Sequence, residues 1–386
     1  MTTRTATVTW AEANARRIGR QGLADPMTSS PGRAVAAMLA AHAQVPSAAE
    51  LSVGLRLTGA TRTDVRKALW NDRILVRTFG PRGTVHLLPE DELPLWTGAL
   101  STIPVRSGPL GKDVRLSADQ TEEVLAAIGD ALTGAELTID ELSDAVVART
   151  GPWAGDRVMP AFQGMWPRWR QVMHLAGHRG VLRFAPDRGR GRKVTYTNPG
   201  TTPLDGPEAL AGLVHRYLYA YGPATPQHFA KWLAAPISWA VSVFAERAGA
   251  GAIEEVAYEG VGPAWLVAGD TDFPAGPARG VRLLPYFDAF TIASQPRERL
   301  FPGAAYARAL AGGQAGNHPV LLIDGAVAGV WHQRRSGRRL PVTVEPLSPL
   351  TARQLRGLEE QVERVGVVLE GKPDLTVGKV TVGPHA

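Results

Sequence analysis

His42-Ala43-Gln44 sets two polar side chains around one small apolar residue, at the end of an apolar stretch. An imidazole accepts a proton near neutrality, and an amide both donates and accepts hydrogen bonds. The pair could therefore orient and activate a water. The same residues also read as a core histidine with a satisfied hydrogen bond, followed by a glutamine at a helix end. Local sequence leaves both readings open. Arg82, Thr84 and His86 alternate through a short turn region, either as duplex contacts or as ordinary exposed turn positions. Arg188, Arg190, Arg192 and Lys193 are interleaved with glycine. Four cations on a thin loop repel one another unless an anion is near, and glycine lets backbone approach a partner closely. Trp166, Arg168, Trp169 and Arg170 mix aromatic and cationic side chains, as base-stacking surfaces do and as ordinary cores also do. His174 and His178 lie four residues apart on an expected helix, with no third ligand in view. A solvated pair on a DNA-facing helix is the reading preferred over a metal pair.

The chain excludes much other chemistry. It has no cysteine, which removes disulfides, thiolate nucleophiles and cysteine-ligated metals. It has no phosphate-cradling G-x-x-x-x-G-K-[ST] loop, no H-E-x-x-H and no G-x-S-x-G elbow. No cofactor and no metal are expected. The 42 basic residues against 36 acidic ones give a formal charge of +6, and all but six of the basic residues are arginine. That balance favours a polyanionic partner, although a GC-rich genome also produces arginine bias. No run of about 18 apolar residues and no signal-like start are present, so a cytoplasmic protein without membrane segments is expected. The absence of a heptad seam leads to the expectation of a monomer.

Elements that would position these residues recur in three rounds. Ser30 caps an expected helix with Pro31 in its first turn, running to Pro46. Val35, Met38, Leu39 and His42 fall at i, i+3, i+4 and i+7, which puts His42 on the helix's core-facing stripe. Ser47 with Glu50 and Thr61 with Asp64 read as capping boxes for the next two helices. Two alternating runs around Gly80-Pro81-Arg82-Gly83 then read as a hairpin. Three short helices and a hairpin form the winged-helix pattern. A second round begins at the Ser117/Gln120 capping box, includes a long amphipathic helix from Met159 to Gly180, and ends in a wing with the arginine-rich tip. A third begins near Pro207 and closes with strands around residues 253–268. From Gly280 the strand-like runs VRLLPYFDAF, PVLLIDG, AVAGVWHQ and LPVTVEP form a β-rich domain, with Asp324-Gly325 as a hairpin turn. Residues 301–317 read as a mobile loop. The expected fold is α+β: three tandem winged-helix units (1–105, 106–204 and 205–279) around a β-barrel-like domain (280–386).

Several of these stretches together resemble the AlkZ/YcaQ-type DNA glycosylases: the polar-Φ-polar triplet, RGTVHL, GPATPQHFAKWL, LLPYFDAF and VLLIDGAVAGVW, in the family's order over residues 10 to 380. The resemblance implies tandem winged helices and a β-barrel in a C-shaped clamp on duplex DNA. It also implies excision of bulky N7-alkylpurines, for repair or antibiotic self-resistance. The family triplet is usually Gln-Φ-Asp or Gln-Φ-Gln. Gln44 matches its second polar residue and His42 replaces the first glutamine, as in a His-Φ-Gln subgroup linked to self-resistance. On this reading the partner is alkyl-adducted duplex DNA. His42 and Gln44 act on a water that attacks the sugar, and Arg82, Thr84, His86, Arg168, Arg170 and the four wing cations contact DNA. The competing expectation is a winged-helix transcriptional regulator without catalysis.

Overall fold

The computed structural model describes residues 7–105, 110–161, 164–188, 191–310 and 312–383. Three times along the chain, a group of helices leads into a hairpin. In the first round the helices are Pro31–Met38, Pro46–Gly54 and Arg62–Trp70, and the hairpin strands are Leu75–Phe79 and Val85–Pro89. The short strand Ala41–His42 completes that sheet by pairing antiparallel with Val85–Pro89. In the second round, helices Ala118–Leu132, Ile139–Thr150 and Met173–His178 precede the hairpin Arg183–Arg188 and Lys193–Thr197, with Glu136–Thr138 as third strand. In the third, Gly206–Tyr221, Pro226–Leu233 and Ile237–Gly249 precede Ile253–Tyr258 and Gly262–Val267. There the N-terminal strand Thr7–Val8 supplies the third, parallel strand.

From residue 281 the strands form one open five-stranded sheet in the order Val281–Leu284, Val320–Ile323, Ala326–Gln333, Arg339–Pro346, Lys372–Val377. Only the last pairing is parallel. Helix Ala352–Leu369 packs against both end strands, so the sheet wraps it in half-barrel fashion rather than closing. Asp324 and Gly325 have φ of 50° and 86°, the left-handed pair that a tight two-residue hairpin requires.

Several expectations fail for identifiable reasons. The first helix ends at Met38, not at Pro46. Leu39 and Ala40 turn left-handed, and the Ala40 N–H donates to Val35 O, a Schellman ending. Tertiary contacts enforce the stop: both residues are buried, and the Tyr221 hydroxyl donates to Met38 O at 2.7 Å. Ser47 is not a cap, because its helix starts one residue earlier at Pro46, with Val45 before it. Glu50 instead pairs with Arg62 and Arg66. The expected long helix from Met159 to Gly180 is broken. It becomes paired strands Arg157–Pro160 and Met165–Pro167, a 3-10 turn, and the short helix Met173–His178. The strand-like VRLLPYFDAF stops at Leu284, and Asp288 caps helix Ala289–Ala293 through Phe290 N–H. Within 301–317, helix Ala304–Ala309 packs Ala305 and Ala309 into the core of the five-stranded sheet, so the stretch is not a free loop. The capping boxes at Thr61/Asp64 and Ser117/Gln120 form as expected.

Candidate active site

The His42 segment is extended rather than helical. His42 pairs with His86 across the sheet, and the Ala43 N–H continues the pairing to Val85 O at 2.7 Å. The strand ends at His42 and Gln44 follows in a bend, while Ala43 packs into the core with Val35 and Met38.

His42 is 7% exposed and Gln44 is exposed. Two rings enclose the imidazole. Phe287 lies at 4.5 Å between centroids, tilted 30°, and His86 stands edge-on at 5.0 Å. The Nδ1 atom of His42 has no hydrogen-bond partner among the described residues. Burial, reinforced by the positive charge of Arg82, pushes the His42 pKa down to about 3. The imidazole is neutral at any working pH.

Phe287 is fixed from behind. Its neighbour Asp288 forms a bidentate ion pair with Arg56, at 2.8 and 2.9 Å, with both side chains fully buried. The Ser52 hydroxyl donates to the same carboxylate at 2.5 Å. Phe287 has a left-handed φ of 53°, and its N–H donates to Gly316 O. This network joins the first helical round to the five-stranded sheet beside His42. Its signal in the sequence was the LLPYFDAF run, but nothing local paired Asp288 with Arg56, 232 residues away.

The other anticipated contacts divide. His86 is 3% exposed, a floor under His42 rather than a surface group. Its Nδ1–H donates to Thr84 O at 2.8 Å, and burial holds its pKa well below the ordinary value. Arg82 is half-buried and donates to Trp232 O at 3.0 Å. The Thr84 hydroxyl donates to Pro81 O. The first hairpin turn is thus tied internally. His178 is also buried, donating from Nε2 to Gly80 O at 2.9 Å, and burial brings its pKa to about 4. The solvated histidine pair expected here is instead a support for that turn. Among the described residues no three His, Cys, Asp or Glu converge as a metal site.

Arg168 donates to Asp113 O and Val114 O, and Arg170 lies 4.2 Å above the Trp166 ring. Trp169 is a core residue and Trp166 is exposed. At the second hairpin, Arg188 pairs with Glu141 and Lys193 with Asp140, all four on the surface. Arg192 is exposed at the turn, and Arg190 lies outside the described residues. The anions that quiet this loop are the first-turn acids of helix Ile139–Thr150.

A neutral imidazole and a surface amide two residues apart, beside a hairpin turn that carries Arg82, suit a hydrolase acting on a polyanion. The chain belongs to the AlkZ-like family of DNA glycosylases, whose model matches residues 35–367. It is a DNA glycosylase, a hydrolase of N-glycosyl bonds. It is similar to the interstrand DNA cross-link repair glycosylase of Streptomyces sahachiroi, 29% identical over 353 residues, covering 83% of this chain and 87% of that one. Its fold matches the solved structure of the Streptomyces sahachiroi DNA glycosylase AlkZ with a TM-score of 0.77 and 26% identity, covering 97% of this chain and all of the other. No helix among the described residues is long and apolar enough to cross a membrane.

Proposed function

We propose that this glycosylase releases bulky N7-alkylguanine and related alkylpurines from duplex DNA, with His42 and Gln44 acting on the attacking water. The observation that carries this reading is a buried, neutral imidazole at the end of a strand with an exposed amide two residues on. Alkylation at N7 makes the purine cationic, so it departs as a neutral base and needs no general acid. The C1′–N9 bond breaks with its electrons going to the purine, and the sugar becomes oxocarbenium-like. Gln44 orients the water, and His42 accepts its hydrogen bond. A group with a pKa near 3 is a weak base toward water itself. It suffices once the oxygen has bonded to C1′, because that oxonium is strongly acidic. The proton passes to His42 and then to solvent.

The three helix-and-hairpin rounds serve in this proposal as winged-helix units, bounded near 105, 204 and 279, clasping the duplex in a C-shape as a monomer. The second hairpin, with Arg188, Arg190, Arg192 and Lys193, reads the groove at the lesion. Arg168 and Arg170 add further contacts to the duplex in this reading. Arg82 and Thr84 reach the backbone near the site, and His86 supports His42 from beneath rather than touching DNA. A bulky adduct resists flipping into a closed pocket, and an exposed Gln44 suits a reaction carried out at the surface of the duplex. The cross-link activity named for the relative extends here as a second substrate class. Base release from duplexes bearing a defined N7-alkylguanine, a bulky N7 adduct or an N7 cross-link tests the reading. Sequence-specific binding to undamaged DNA with no release from any of them would replace it with a regulator.

A further inference from the structure

Three cations from three separate elements form a chain that begins at His42: the charge of Arg82 acts on His42, and that of Arg297 acts on both Arg82 and Lys231. Arg82 sits in the Pro81–Gly83 turn, Lys231 near the end of helix Pro226–Leu233, and Arg297 at the start of helix Arg297–Leu300. The turn packs on helix Pro226–Leu233, which in turn packs on Ala289–Ala293, a few residues before Arg297. Hydrogen bonds fix the arrangement. Arg82 donates to Trp232 O, the carbonyl next to Lys231, and Arg297 donates to Ile292 O at 3.0 Å. Arg297 is 7% exposed, yet no carboxylate pairs with it among the described residues.

Among the described residues no carboxylate forms an ion pair with Arg82, Lys231 or Arg297. Glu298 is close enough to influence Lys231 and Arg297 but forms no ion pair with either among the described residues. Asp288 is fully engaged by Arg56. Burial lowers the pKa of Arg82 to about 10 and also lowers that of Lys231, and the like charge of Arg297 acts in the same direction on both. Arg82 in turn makes itself felt at His42. Partly desolvated cations held together by backbone carbonyls, without carboxylates, are costly in the free protein. They are suited to an anion that arrives with the substrate.

We propose that Arg82, Lys231 and Arg297 form a phosphate site that holds one phosphodiester of the lesion strand beside His42. This rests on the reading of His42 as the reacting position and adds to it how the sugar is held there. The bound phosphate brings a negative charge near Arg82 and offsets the positive field at His42. The imidazole therefore becomes a better proton acceptor only when DNA is in place. The site also separates positioning from lesion reading, since a phosphate carries no sequence information.

The test is a binding cycle on duplexes that contain an uncleavable abasic analogue, with one neutral methylphosphonate placed in turn at each of the four flanking phosphates. The proteins are wild type, Lys231→Ala and Lys231→Ala/Arg297→Gln. At one position the methylphosphonate should weaken wild-type binding about tenfold, the size of one charged hydrogen bond. At the same position it should weaken the double variant less than twofold. The slope of log affinity against log salt should fall by about 0.9 for the lost phosphate contact. Equal penalties on wild type and variants at every position would overturn the proposal. Lys231 is on the surface, so the single variant still reports if the double variant melts early. The cycle involves no base release, so a failure of the His42 reading would show separately in the excision assay.

Discussion

The Phe287 ring lies 4.5 Å from the His42 ring, tilted by 30°, and covers one face of the imidazole. Phe287 thereby helps to keep His42 neutral and in a single orientation. An aromatic pair of this kind contributes about 0.5–1.5 kcal/mol beyond its buried area. Phe287→Leu should therefore cost little stability but lower the rate of base release about tenfold, with KM for DNA nearly unchanged. Single-turnover kinetics beside a melting curve checks this.

Asp288 and Arg56 fix that ring from behind. Removing one member of a buried pair leaves the other charge uncompensated, at a cost of about 3–5 kcal/mol. Asp288→Ala should shift the denaturant midpoint strongly downward, while Arg56→Met/Asp288→Leu should recover a substantial part of the loss. Chemical denaturation of the two variants beside wild type decides it. Equal, small losses would mean that the pair is not a structural clamp.

The pH dependence separates activity from stability. His42 titrates at about 3, and His178 and His228 at about 4, all lowered mainly by burial. Each binds a proton in the unfolded chain near pH 6.5 but not yet in the folded one. Stability is thus at its full value above pH 6.5 and declines as pH falls toward 4, by on the order of 1.4 kcal/mol per pH unit for each such histidine. Base release by folded protein should be flat between pH 5.5 and 8, because His42 stays neutral throughout. A rate that halves near pH 6.5, with the fold intact, would place the titrating group elsewhere.

The arginine-rich hairpin should act through charge alone. Its pairs Arg188–Glu141 and Lys193–Asp140 are exposed, and solvent screening leaves such pairs little effect on stability. Replacing Arg188, Arg190, Arg192 and Lys193 with alanine should leave the melting temperature nearly unchanged, weaken duplex binding and flatten its salt dependence. Asp140→Asn/Glu141→Gln should tighten binding, since those carboxylates compete with DNA phosphates for the same cations. Unchanged salt slopes in both variants would remove the hairpin from the interface.

Much of the architecture is readable from local signals. Capping residues at Thr61 and Ser117 mark helix starts, Asp324-Gly325 marks a hairpin, and each run of helices ends in alternating strands. The triplet His42-Ala43-Gln44 is also visible, but its geometry is not. Helical spacing placed His42 on a core stripe, whereas Tyr221, 183 residues away, ends the helix at Met38 and lets the chain extend. The same limit explains His86 and Asp288, whose partners are distant in sequence and become neighbours only in the fold. Where a local pattern competes with tertiary contacts, as in the broken stretch from Met159 to Gly180, the contacts decide.

The central claim is that His42 and Gln44 act on the water that releases the base. The direct measurement is release of a defined N7-alkylguanine from duplex DNA, read as alkaline cleavage at the abasic site, for wild type, His42→Ala and Gln44→Ala. Removing a group that orients or accepts a proton from the nucleophile should lower the rate by about 10²–10⁴-fold in each variant, with melting curves and DNA affinity near wild type. Release by both variants at the wild-type rate would contradict the assignment.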